Sequence, residues 1–220
     1  MFKKDRLSKA KYLVVFVAFA LTLFITSGVF ASSYDRDAGV AWIDAHAHDR
    51  PSDYPNYGTG TDVDCNDCTN YVNQMLDKGG YPQRTGTNDN GHRYAYRNII
   101  WRVSRTWYNT ANFNVYIAQF KPAEFVTRAS TTQLVKGDFF LMDLKNNITN
   151  EPYPDGKPDH ARAIVGKGWT STNPIDYNSG SVPPRQWTLL ASQHCTDRWH
   201  VAWDYNVSSS VKRWNIHVNW

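Results

Sequence analysis

Apolar positions recur with a helical period in the first half of the chain and with a strand period in the second. Between Tyr34 and His48, Ala38, Ala41, Trp42 and Ala45 fall at i, i+3, i+4 and i+7, the spacing of one helix face. Asp35 stands where an N-cap belongs, and Pro51 stops the pattern. Pro51 to Asp64 is rich in Pro, Gly, Asp, Tyr and Thr and reads as loop. Helical spacing returns over Thr69 to Lys78, with Val72, Met75 and Leu76 apolar, and Gly79-Gly80 ends it. A second loop runs to about Arg93. Ala95 to Phe125 reads as helical segments carrying Trp101, Trp107 and Phe113. After Gly137 the period shortens. Asp138 to Asp143 is a strand, 145–158 a polar loop, and Arg162 to Lys167 and Thr188 to Gln193 are β-rich runs. Trp199 to Trp220 alternates enough for one or two strands. Helices first and strands later predict an α+β domain whose N-terminal helices pack on an antiparallel sheet.

The first 31 residues stand apart. A basic stretch precedes an apolar run from Tyr12 to Ile25, and Val29 and Ala31 are small residues at the −3 and −1 positions of a cleavage site. This predicts a signal peptide cut after Ala31, a secreted product, and one domain over 32–220. The alternative is an uncleaved anchor facing outside, although the run is short against the roughly 20 residues a spanning helix needs. The segment also explains the formal charge of +4. It holds Lys3, Lys4, Arg6, Lys9 and Lys11 against Asp5, and the remainder is balanced at 19 basic and 19 acidic residues. Binding of nucleic acid through bulk positive charge is therefore disfavoured. No repeat of 20–50 residues is visible, which argues against a solenoid or propeller.

Candidate chemistry begins with three cysteines, Cys65, Cys68 and Cys195, an odd count. The run Asp67-Cys68-Thr69-Asn70-Tyr71-Val72-Asn73-Gln74 follows a loop and opens a helix. With Asp67 as N-cap, Cys68 falls in the first turn, where free N–H groups and the helix dipole favour a thiolate. A nucleophile needs a base. Asp159-His160-Ala161-Arg162-Ala163-Ile164-Val165 sets His160 at the head of a strand. A third group must orient the imidazole. Leu189 to His194 offers two, with Gln193 facing one way and His194 the other. His194 is the first choice.

These residues resemble the putative amidase domain of secreted bacterial proteins, a relative of papain-like cysteine peptidases and amidases, including the CHAP group. The resemblance runs from about Tyr34 to about Asp204. It rests on Tyr34-Asp35-Arg36-Asp37-Ala38, the Pro55-Asn56-Tyr57-Gly58 turn, Asp67 to Gln74, Trp107, Gly137-Asp138, His160 to Val165 and Gln193-His194. It implies a papain-like fold, Cys68 as nucleophile and His160 as base. Tyr71 and Asn73 depart from the family pattern, residues 59–66 resemble an insertion that adds Cys65, and Cys195 directly follows His194. If Cys68 and His194 share a site, a Cys65–Cys195 disulfide would leave Cys68 free. A Cys65–Cys68 bridge would abolish the nucleophile. A zinc site of Cys65, Cys68, His194 and Cys195 has permitted ligand types but lacks a second Cys-x-x-Cys.

The expected activity is hydrolysis of an amide bond, in cell-wall peptide or peptidoglycan, through the Cys68 thiolate. The Cys68 N–H would serve as oxyanion donor, with Asn66 the candidate for a second. No cofactor or metal is required. The alternative is a catalytically silent secreted module of the same fold that holds wall glycan or a protein partner through the aromatic-rich stretch from Trp187 to Trp220. His46-Ala47-His48 matches the His-x-His of barrel metallohydrolases, but that motif needs a strand and a chain of about 250 residues. Asn147-Ile148-Thr149 and Asn206-Val207-Ser208 match glycosylation sequons, a pattern frequent by chance.

Overall fold

Asp35 does start the first helix. Its carboxylate accepts the Ala38 N–H at 2.9 Å, and α1 runs Arg36–Ala45. The computed structural model describes residues 33–58, 67–86, 90–144, 155–177 and 181–220. The expected signal segment, the 59–66 insertion with Cys65 and Asn66, and the Asn147 sequon lie outside them. Among the described residues no helix is long and apolar enough to cross a membrane.

The face that α1 buries is not the expected one. Gly39, Val40 and Ile43 are buried, whereas Ala38, Ala41 and Ala45 are exposed. A stripe of alanines has little area to remove from water, so the larger Val40 and Ile43 decide the orientation. Gly39 lets α1 approach α2 (Asp67–Lys78) closely, and a Cβ there would stand 2.5 Å from the Met75 carbonyl oxygen. Every residue of α2 from Asp67 to Leu76 is buried. The helix ends at Gly79-Gly80, with Gly80 at φ +83° and the Tyr81 N–H returning to the Leu76 carbonyl at 2.8 Å.

The helical reading of 95–125 needs correction. Ala95–Arg97 (β1) and Trp101–Val103 (β2) form an antiparallel hairpin, so Trp101 is in a strand. Tyr96, Trp101 and Val103 are strand-favouring residues, and pairing across the Asn98 turn outweighs a loose helical spacing. Helices follow at Arg105–Tyr108 (α3) and Thr110–Gln119 (α4), and α4 is capped by Asn109. Phe125–Arg128 (β3) is a further strand.

The remaining strands are Phe139–Asp143 (β4), His160–Trp169 (β5), Trp187–Gln193 (β6), Arg198–Ala202 (β7) and Lys212–Val218 (β8). With β3 they make one antiparallel sheet in the order β3-β8-β4-β5-β6-β7. The fold is α+β, as the order of periodicities predicts. Side chains alternate across the sheet. Phe139, Leu141, Ala161, Ala163 and Ile216 join the helices in one core. Phe140, Met142, Ile164 and Ala191 form a second core on the opposite face, under Trp203 and Val207.

Gly137-Asp138 has a structural role before β4. Asp138 Oδ1 accepts from Arg36 Nη1 at 2.6 Å and from the Val218 N–H at 3.1 Å, while Oδ2 accepts from the Val135 N–H and His217 Nδ1, both at 2.9 Å. One carboxylate thereby ties α1, the turn before β4 and the end of β8.

Candidate functional site

The polar residues that open α2 are buried because each one answers a backbone or side-chain group of a neighbouring segment. Asn70 Nδ2 donates to the Pro55 carbonyl at 2.9 Å, and Asn70 Oδ1 accepts from Trp107 Nε1 at 2.7 Å. Asn73 Nδ2 donates to the carbonyls of Thr69, Thr106 and Trp107 at 3.0–3.3 Å. Asn73 Oδ1 accepts from the buried Arg93 at 3.1 Å. The Pro55 turn, the 67–74 run and Trp107 are thus one hydrogen-bonded unit, which accounts for residues far apart in sequence.

Asp67 is the first residue of α2 and is wholly buried. Its carboxylate lies 2.5 Å from Arg50 Nε and 2.7 Å from His194 Nδ1, and it accepts from Asn70 Nδ2 at 2.6 Å. Arg50 also holds Asp197 through both terminal nitrogens, at 3.1 and 2.6 Å. The start of α2 is therefore braced against the turn between β6 and β7.

Cys68 follows in the first turn and is 1% exposed. It is a free thiol, so no bridge to Cys65 forms. Cys195 is disulfide-bonded, and Cys65, the third cysteine, lies outside the described residues. Cys68 Sγ is 3.7 Å from Thr69 Oγ1 and 3.9 Å from Thr110 Oγ1, and those hydroxyls meet each other at 2.6 Å. The Ala161 backbone N–H also acts on the thiol's acidity, lowering its pKa. Burial dominates the thiol's acidity and pushes its pKa up to about 11, against the lowering pull of Thr69, the Ala161 N–H and Thr110. Dipole and helix start do not make a resting thiolate here, contrary to expectation, because desolvation outweighs them.

His160 sits at the first position of β5 and is wholly buried. Its Nε2 is 3.1 Å from Gln193 Oε1. That oxygen also accepts from Arg162 Nε and, at 3.4 Å, from Arg198 Nη1. The same amide's Nε2 donates to the carbonyls of Cys195 at 2.7 Å and Thr196 at 3.2 Å. Two arginine donors on one side and two carbonyl acceptors on the other fix which end of the amide is oxygen. An acceptor facing His160 Nε2 requires that nitrogen to carry the proton. In the neutral ring Nδ1 then holds the lone pair.

The contact expected between His194 and His160 is not formed, and sheet register explains it. Ala163 pairs with Ser192, so the next positions set Arg162 opposite Gln193 and Ala161 opposite His194. His160 shares a face with Arg162 and hence with Gln193, whereas His194 lies on the helix face. There its Nδ1 meets Asp67 and its Nε2 meets the His46 carbonyl, each at 2.7 Å. Both partners are acceptors, which the doubly protonated ring satisfies. His194 and the disulfide-bonded Cys195 are thus engaged away from any zinc ligation. His46 caps α1 and bonds Asp49, and His48, just beyond, bonds Asp176. Thr69, Thr110 and Arg162 were not singled out by sequence reasoning, and the usable signal was that Gln193 and His194 face opposite ways on one strand.

A buried free cysteine stands at the start of a helix, and a buried histidine heads a strand, in an α+β domain. The chain belongs to the putative amidase domain family, whose model matches residues 33–218. That membership points the chain to amide hydrolysis. It is also 23% identical over 183 residues to an uncharacterized protein, YhbB, of Bacillus subtilis (strain 168). The match covers 83% of this chain and 53% of that protein, so the chain spans about half the length of the curated relative it matches. No solved structure matches the chain.

Proposed function

We propose that this protein is a cysteine-dependent amide hydrolase of papain-like design. What carries the reading is membership of the putative amidase domain family joined to a free, buried Cys68 in the first turn of α2 and a buried His160 whose ring is held by Gln193. A thiol held near 11 is protonated at neutral pH. His160 therefore acts as a general base, taking the thiol proton on Nδ1 as sulfur attacks the amide carbon. The tetrahedral oxyanion is met by the Cys68 N–H. The imidazolium then protonates the leaving amine, and water, deprotonated by the same ring, hydrolyses the thioester.

The substrate is the peptide part of the cell wall, and the N-terminal signal pattern supports a secreted enzyme acting there. The test is amine release from purified stem peptides and muropeptides, with a reductant present and absent. Wild type should release amine, and Cys68→Ser and His160→Ala should each lose at least about 10³-fold. Hydrolysis that survives Cys68→Ser overturns the mechanism. Undiminished wall binding with no hydrolysis in any form would instead mark a silent binding module.

A further inference from the structure

We propose that the β1–β2 hairpin is a docking arm for an anionic lipid surface. Hairpin turns are ordinarily built from Gly, Asn and Asp, which accept tight backbone conformations and face water. The turn between β1 and β2 is Asn98-Ile99-Ile100. Ile99 is 89% exposed and Ile100 68%, more than any other large hydrophobic side chain among the described residues, and Tyr96 beside them is exposed as well. Folding gains nothing from two aliphatic side chains held together in water at a tip, so they answer an apolar partner.

The surrounding charge selects that partner. Between Asp89 and Glu124 the chain has no acidic residue. Arg97, Arg102 and Arg105 lie in this stretch, and all three are exposed. The register pairs Tyr96 with Arg102 and Arg97 with Trp101, so each of these two rungs sets an aromatic ring opposite a guanidinium. An apolar tip with aromatic rings and cations one level below it matches the layers of a bilayer interface. Aliphatic groups enter among acyl chains, Tyr and Trp sit at headgroup level, and arginines meet lipid phosphates. A second copy of the chain fits less well, because it would bring the same arginines against these. A glycan would suit the rings but offers nothing to Ile99 and Ile100.

The arm is firmly rooted. Ala95 packs with Tyr54 and Trp107 in a small core of their own. Ser104 and Tyr94 close the base, the Ser104 N–H donating to the Tyr94 carbonyl and the Tyr94 N–H to Ser104 Oγ, both at 3.0 Å. Trp107 in turn donates to Asn70, two residues beyond Cys68 on α2. A docked tip therefore fixes how the start of α2 faces the lipid. None of this requires Cys68 to be a nucleophile.

The test is hydrogen exchange read by mass spectrometry on the full chain, because it reports the hairpin separately from any lipid contact of the N-terminal apolar run. The chain is measured alone, with vesicles of equimolar phosphatidylglycerol and phosphatidylcholine, with pure phosphatidylcholine vesicles, and with purified peptidoglycan. The variants are Ile99→Ser/Ile100→Ser and Arg97→Gln/Arg102→Gln, all at exposed positions, and near-UV circular dichroism checks the fold of each. Exchange over 95–103 should slow on the anionic vesicles, and either double variant should need at least about tenfold more lipid to reach the same slowing. Added salt should weaken the effect. Unchanged exchange at 95–103 on anionic vesicles overturns the proposal, as do variants that respond like wild type. Equal slowing on neutral vesicles removes the arginines and with them the anionic surface. Slowing that follows protein concentration without lipid gives the tip to a second copy, and slowing by peptidoglycan alone gives it to the wall. Either result overturns the lipid assignment.

Discussion

Gln193 Oε1 stands 3.1 Å from His160 Nε2 and is shared with Arg162 and Arg198, so a neutral amide oxygen, flanked by two cations, holds the imidazole. In the proposed mechanism a carboxylate there would favour the imidazolium and weaken the proton transfer back to the leaving amine. The amide orients the ring without adding charge to it.

Gln193→Leu keeps the size and removes the bond. A misdirected ring forfeits part of what a general base supplies, so kcat should fall about 10²-fold while KM changes little. Steady-state kinetics on the Cys68-dependent substrate separates the two constants. The pH profile of Cys68 alkylation should also lose its His160-dependent limb, which a purely structural loss would not produce. An unchanged kcat would remove Gln193 from the mechanism.

Asp67→Asn tests the ionic brace at the start of α2. The variant leaves Arg50 and His194 without their buried counter-charge. Removing one partner of such a group costs about 3–5 kcal/mol, and the midpoint of thermal unfolding should fall by about 10 °C. Adding His194→Gln should recover part of the loss, so that the double variant is less unstable than the sum of the singles. Additive losses would show that Asp67 and His194 do not share one interaction.

Gly39→Ala tests the approach of α1 to α2. In an exposed helix interior this change stabilises, because alanine is the better helix former. At Gly39 the new methyl meets the Met75 carbonyl oxygen at 2.5 Å, and backbone cannot step aside cheaply. The sign should invert, with a loss of about 1–3 kcal/mol in urea unfolding. Because Met75 lies two turns beyond Cys68 on the same helix, alkylation of Cys68 should speed up as well. A stabilised variant would mean that the helices are free to separate.

How far the sequence carries depends on whether an element's partners are local. The helix at 67–78 and the strand at 139–143 are legible because their own periodicity agrees with what they bury. The buried face of α1 departs from its pattern because Ala38, Ala41 and Ala45 mark a stripe as plainly as bulky residues do, yet carry less area. Trp101 was misread because its partner, Arg97, lies across a turn whose signal is weak. At the site, Cys68 and His160 stand out by chemistry and position within their own elements. The choice of Gln193 over His194 needed the pairing of β5 with β6, a long-range register no single strand states. Thr110, on another helix altogether, leaves no mark in the sequence near Cys68.

Asp159, the residue before His160, should set a pH dependence of the fold itself. Its carboxyl is pushed up to about 6, first by burial and then by the neighbouring charges of Asp143 and Asp155, against the Leu144 N–H that lowers it. The folded chain thus keeps this proton to higher pH than the unfolded chain, whose carboxyl titrates near 3.9. Wherever the folded state binds more protons, stability falls as pH rises. The loss should therefore accumulate between about pH 4 and pH 6 and then level off. Asp159→Asn keeps the acceptor for the Leu144 N–H, which stands 3.0 Å from Oδ1, and removes the charge. It should match wild type near pH 4 and exceed it at pH 7 by about 1 kcal/mol, a figure reduced for the partial exposure of the group. Histidines titrate in the same window, so the informative quantity is the difference between the two melting curves at each pH. Curves that stay parallel from pH 4 to 7 would show that Asp159 ionises in the fold as it does in the unfolded chain.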